Sequence, residues 1–156
     1  MWRWMIRIAT HGVALAVGFA LGVYLLPILT APPSPDSAML EQSAEGAVYS
    51  AELTRDLPGS DFLHWGEGTI SLSPERIVHE GRLSPGPDYK LYLVPEFVDH
   101  EDAFLPIKGE ALQLGDIDTF EGFVVDLPAG VDLDAYTTVL VWCEAFSEFI
   151  TAAEYR

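Results

Sequence analysis

Cysteine, histidine and basic residues are scarce in this chain, and each scarcity closes off a class of chemistry. Cys143 is the only cysteine among 156 residues, which excludes an internal disulfide and the Cys-x-x-Cys-His attachment of c-type haem. Only His64, His79 and His100 lie beyond the apolar N-terminus, and no two stand at His-x-His or His-x-x-His spacing. A local ligand set for zinc, copper or an iron-sulphur centre is therefore missing. Eight basic residues against 24 acidic ones leave a formal charge of −16. Such a surface repels nucleic acid and anionic headgroups and favours cations or a basic partner, so no nucleic-acid binding is expected. There is no Gly-x-Ser-x-Gly elbow, no phosphate-cradling glycine loop and no internal repeat.

The charge-free stretch at the N-terminus stands apart from all this. Arg3 and Arg7 precede an apolar run over residues 8–29, and no charged side chain occurs between Arg7 and Asp36. The run meets the roughly 20 residues a helix needs to cross a bilayer, and Trp2 and Trp4 beside the arginines suit the headgroup interface. A cleaved signal peptide shares the basic start and apolar body. However, the Leu29-Thr30-Ala31 site has no small residue three positions before the cut, and Pro32 follows it. An uncleaved, single-pass anchor is expected in the cell membrane. It meets the lipid bilayer through residues 8–31, with the N-terminus cytoplasmic and the rest periplasmic or extracellular. Pro32, Pro33 and Pro35 then make a stiff stalk. The expected organisation is an anchor at 1–31, a Pro-rich stalk and linker at 32–47, and an extracytoplasmic β domain at 48–156. A brief helix from residue 37, with Ser37 as its cap, fits inside the linker.

From residue 48 onward, short runs of apolar and β-branched residues alternate with Gly and Pro turns. Strands are expected at 48–57, 62–73, 76–79, 89–94, 111–114, 120–127 and 137–143. Residues 115–118 read as a turn and 96–108 as the most irregular stretch. The run Thr137 to Phe149 is the central one, β-branched and apolar. The segment after it returns Phe146, Phe149 and Ile150 to the core. Fold class is accordingly all-β, a β-sandwich or partly closed barrel preceded by one N-terminal transmembrane helix.

Several pieces in fixed order carry a resemblance. They are Phe62-Leu63-His64, the stretch from Gly66 to Ile70, Gly86-Pro87-Asp88 followed by Tyr92-Leu93, Leu114-Gly115, Gly122, Pro128, and Val141-Trp142-Cys143 with Phe146 and Phe149. From about residue 62 to 153 the chain resembles the DM-thirteen domain family, small all-β modules with a proposed electron-transfer role, found in bacterial exported proteins and beside DOMON modules in animal extracellular ones. The resemblance implies that Cys143 is the redox residue, with His64, Trp142, Phe146 and Asp88 as supporting residues. Two departures accompany it: Val125 stands where a tyrosine is usual, and Glu144 follows the cysteine where a basic residue is common.

Cys143 has three readings: a small buried hydrophobe, a reactive thiol in an electropositive setting, or one half of an intermolecular disulfide. A single thiol cannot hold a reversible electron pair unless another thiol, a metal or a cofactor joins it. The expected function is a membrane-anchored extracytoplasmic accessory or interaction module with a redox role through Cys143, and not an enzyme. It would have a protein partner at the cell envelope. Two alternatives stand beside it. One is an electron carrier using noncovalent haem or a metal, although no cofactor is required by the sequence. The other is a cation- or carbohydrate-binding module using the acidic 96–102 loop, where Asp99, Glu101 and Asp102 supply oxygens without EF-hand spacing.

Overall fold

Apolar composition, with no charge after Arg7, makes residues Trp2–Thr30 one continuous helix, α1, in the computed structural model, which describes all 156 residues. It buries none of its residues, and by length and composition it can cross a membrane, a description that a signal sequence also meets. Proline ends it, and a second helix, α2, spans Ser37–Ala44. Its cap is Asp36 rather than Ser37: the Asp36 carboxylate accepts the Met39 N–H at 2.8 Å. A carboxylate adds a charge-dipole attraction that a hydroxyl lacks, and Asp36 is extended, as a cap requires.

Eight strands follow: β1 Tyr49–Leu53, β2 Gly66–Leu72, β3 Arg76–Leu83, β4 Tyr89–Val94, β5 Leu112–Ile117, β6 Phe123–Asp126, β7 Thr138–Cys143 and β8 Glu148–Glu154. They form two four-stranded antiparallel sheets, ordered β1-β2-β3-β6 and β5-β4-β7-β8. The edges of the two sheets approach without pairing, so the molecule is a sandwich and not a closed barrel. Strand β5 runs through Gly115-Asp116, where a turn is expected from composition, because both residues gain ladder partners on β4, Leu91 and Lys90, and the register shift falls at the unpaired Leu114. Residues 62–65, by contrast, stay outside β2 and form a bent loop. The irregular 96–108 stretch contains a one-turn helix, α3 Glu101–Phe104, followed by a 3-10 turn over Leu105–Glu110.

Two apolar layers result. The first lies between the sheets, where Ile70, Leu72, Ile77, Leu91 and Val141 are fully or almost fully enclosed. The second lies on the other face of the β4-β7-β8 sheet, where Tyr92, Leu140, Trp142 and Phe149 meet Phe104 from α3. Because α3 and the 3-10 turn cover that face, all six residues of β7 are buried. This explains why β7 reads as an unbroken apolar run instead of an alternation, as for strands covered on both sides. Each large apolar side chain so enclosed contributes about 1.5–3 kcal/mol. α2 docks its Leu40 on the first sheet beside β3 and β6.

Candidate functional site

Strand alternation decides which side chains can act together. Trp142 and Cys143 are consecutive in β7, so their side chains point to opposite faces of the sheet. Cys143 belongs to the inter-sheet core, 3% exposed, while Trp142 lies wholly within the outer layer. The expected set of Cys143, His64, Trp142, Phe146 and Asp88 therefore divides, and Trp142 falls on the far side.

Three separate stretches close around the Cys143 thiol. The loop before β2 contributes His64 and Leu63, held by Asp61, whose carboxylate accepts the N–H of Leu63 at 2.6 Å and of His64 at 2.8 Å. The same loop is tied to the next turn by a Ser84 N–H bond to the Trp65 carbonyl at 2.9 Å. That turn, 85–88, supplies the Pro87 carbonyl, to which the Cys143 thiol donates at 3.0 Å. The β7–β8 turn supplies Phe146. These groups, with Ile150 and side chains of α1, line an apolar cavity of about 390 Å³. A bulge in the β7–β8 pairing, between Val141 and Trp142, leaves Ile150 without a partner opposite it. Bulges re-aim side chains in this way near the ends of strands. Phe146, expected in the core, is 48% exposed. It sits in the hairpin turn, where no second layer covers it.

Backbone strain marks the same end of the molecule. Asp88 and Ser147 are the two non-glycine residues with positive φ, each at 56°. Left-handed conformation costs an L-residue about 1–2 kcal/mol, less for Asp. One lies on each side of Cys143. The Asp88 carbonyl accepts the Glu144 N–H at 3.0 Å, and its carboxylate meets Lys90 Nζ at 2.6 Å. Asp88 thus positions the strand end rather than touching the sulfur.

The electrostatics keep the thiol protonated. Burial pushes the Cys143 thiol above its ordinary value, and Asp88 and Glu148 add to the rise, while the N–H groups of Phe146 and Ala145 pull the other way. On the opposite face, Tyr92 OH donates to Glu144, and Lys108 Nζ meets the other Glu144 oxygen at 2.6 Å. Burial alone would raise Glu144, but the bonds from Lys108 and Tyr92 hold it below the ordinary carboxylate range. Lys108 also lies 5.3 Å from the centre of the Trp142 ring. The negative charge that adjoins Cys143 in sequence is thereby neutralised by a lysine 36 residues away. Lys108, Tyr92 and the Pro87 carbonyl escape a sequence reading. One signal existed for Lys108: it and Lys90 are the only lysines in a strongly acidic chain, so each has carboxylates to meet.

The donor set does not suit a metal or a thiolate-ligated haem. No three His, Cys, Asp or Glu side chains lie close enough to hold a metal ion. The thiol is spent on Pro87, and burial opposes the thiolate that iron would need. His79 is fully buried in β3, where its Nε2 lies 3.0 Å from the Glu67 carbonyl and burial lowers its pKa. His100 pairs with Asp99 at 2.5 Å on the 96–102 loop. There Glu101 accepts the Phe149 N–H at 3.2 Å and the Asp99 carbonyl accepts that of Gly59 at 2.8 Å. The Glu101 carboxylate and the Asp99 backbone carbonyl thus fasten that loop to the domain.

A protein-family model described as Electron transfer DM13 matches residues 59–155. That span contains the whole of the thiol pocket except the side chains contributed by α1. No curated protein and no solved structure matches the chain.

Proposed function

The chain belongs to the DM13 electron-transfer family, and from that premise we propose that it is a membrane-anchored accessory module of the cell envelope whose redox group is the Cys143 thiol. Residues 1–31 are the anchor, 32–47 the linker, and 48–156 the outward domain. What carries the reading is the convergence of His64, Phe146 and the Pro87 carbonyl, from three separate stretches, on the only thiol in the chain. Trp142 supports this site from behind, by fixing β7, and Asp88 by holding the strand end.

A lone thiol needs a second sulfur, and a partner's disulfide supplies it. The Cys143 sulfur attacks one sulfur of that disulfide. A new S–S bond joins the two proteins, the old one breaks, and the partner's second sulfur leaves with the electron pair and takes up a proton. In the closed pocket the raised pKa and the Pro87 bond suppress attack. Displacement of the 85–88 turn by a docking partner exposes the sulfur. The pocket thereby sets when the thiol reacts, and no catalytic turnover by this chain is required.

The test is the rate at which a thiol reagent modifies Cys143 in the full chain in detergent, followed across pH, together with an absorption spectrum of the purified protein. The expected result is slow modification that exceeds the rate of global unfolding and rises as pH passes above the ordinary thiol range, with no visible band. Modification no faster than unfolding would make Cys143 a core residue. A visible band that disappears in Cys143→Ala would favour the cofactor-dependent carrier instead.

A further inference from the structure

The end of the sandwich that encloses Cys143 also carries exposed apolar side chains on neighbouring loops. Phe62 is 86% exposed, Phe146 48% and Leu63 39%. Single exposed apolar residues are ordinary, but a cluster on adjoining loops marks a contact surface. Helix α1 lies along this same end. The thiol cavity and a larger one of about 740 Å³ each have one wall from the domain and the other from α1, over residues 19–30. The helix touches without packing: only Val23 and Pro27 within it are partly covered. The unfilled space between is lined largely by apolar groups.

Helix length fixes the depth of that contact. At 1.5 Å per residue the 29 residues of α1 span about 43 Å, close to the roughly 40–45 Å of a bilayer with its headgroups. With Trp2, Arg3, Trp4 and Arg7 at the inner interface, residues 19–30 occupy the outer leaflet. The loops alongside them lie at the same depth.

We infer that this end of the domain seats in the outer leaflet of a zwitterionic bilayer, with Phe62, Leu63 and Phe146 among the upper acyl chains and the Cys143 pocket opening on lipid. The inference rests on the anchor reading of α1. Lipid chains then fill the space between helix and domain. Interfacial elements reach about 5–10 Å below the headgroups, which suits loops of this size. The nearby carboxylates are compatible: Asp61 accepts two backbone N–H groups and Asp88 is paired with Lys90, while exposed Asp118 stays at headgroup level. The net charge of −16 selects against anionic lipid.

The test uses the full chain in phosphatidylcholine vesicles, with Cys143→Ala as background and a spin label on one introduced cysteine at a time. Labels at Phe62→Cys and Phe146→Cys probe the seated end, Ala129→Cys the far end of the sandwich, and Val17→Cys the middle of α1. The expected result is that labels at 62 and 146 follow the label at 17, open to dissolved oxygen and shielded from a water-soluble nickel complex, while the label at 129 shows the reverse. Water-exposed labels at 62 and 146 with a lipid-exposed label at 17 would overturn the seating and leave the anchor standing. A water-exposed label at 17 would overturn both. A second readout needs no substitution: in vesicles, a maleimide that partitions into lipid should modify Cys143 several-fold faster than a charged one. Equal rates would remove the opening onto lipid.

Discussion

Trp142 and Cys143 share a peptide bond and little else. On the Trp142 face the indole is enclosed by Phe104, with ring centres 4.9 Å apart, and covered by Lys108. Its neighbour Tyr92 donates a hydrogen bond to Glu144, which Lys108 also meets. On the Cys143 face the thiol has one weak bond, a cavity beside it, and strained turns on either hand. The first face is filled and cross-linked, whereas the second is apolar, underfilled and built from loops. At this end of β7, the tightly packed contacts lie on the Trp142 side and the cavity on the Cys143 side, although Cys143 itself belongs to the inter-sheet core.

Breaking the filled face should have the largest effect. Trp142→Ala should cost about 3–5 kcal/mol, read from urea unfolding, because the rigid cover cannot collapse into the hole. A loss near 1 kcal/mol would mean that α3 does not hold this face. Glu144→Gln should come next, at about 1–2 kcal/mol, through the weakened bonds to Lys108 and Tyr92. Its pH dependence gives the sign. The folded-state pKa of Glu144 lies below its ordinary 4.5, so its contribution is present above that pH and fades as pH falls through the lower folded value. The difference between wild type and Glu144→Gln in urea midpoint should therefore shrink on acidification below pH 4.5.

Changes on the thiol face should be gentler. Cys143→Ala should cost about 1 kcal/mol, the loss of a small buried group beside an existing cavity. A cost equal to that of Trp142→Ala would erase the contrast between the faces. Ser147→Gly should raise stability by up to about 1 kcal/mol, since glycine adopts the positive φ without penalty. An unchanged or lowered urea midpoint would show that the turn is not strained in solution.

Much of the fold can be read along the chain. Apolar continuity identifies β7 and β4 as central strands, and Gly-Pro turns separate most of the others. Cys143 and His64 are legible as candidate site residues because both stand in recognisable pieces, and the fold sets both on one cavity. Trp142 is readily grouped with Cys143 by adjacency, although the two-residue period of a strand already sends it to the other face. Phe146 and Phe149 look alike by composition. The hairpin turn between β7 and β8 leaves the first half-exposed and buries the second.

The sequence alone determined the apolar helix with its basic start, the acidic character of the remainder, the all-β class and the uniqueness of the thiol. These follow from local composition and from side-chain periods, which need no knowledge of distant residues. Only the tertiary structure decided that His64 lines the cavity beside Cys143, that the Pro87 carbonyl accepts its thiol bond, that Lys108 reaches Glu144, and that the pocket lies beside α1. Those contacts join residues tens of positions apart, and their proximity comes from strand order and register, which composition leaves undetermined.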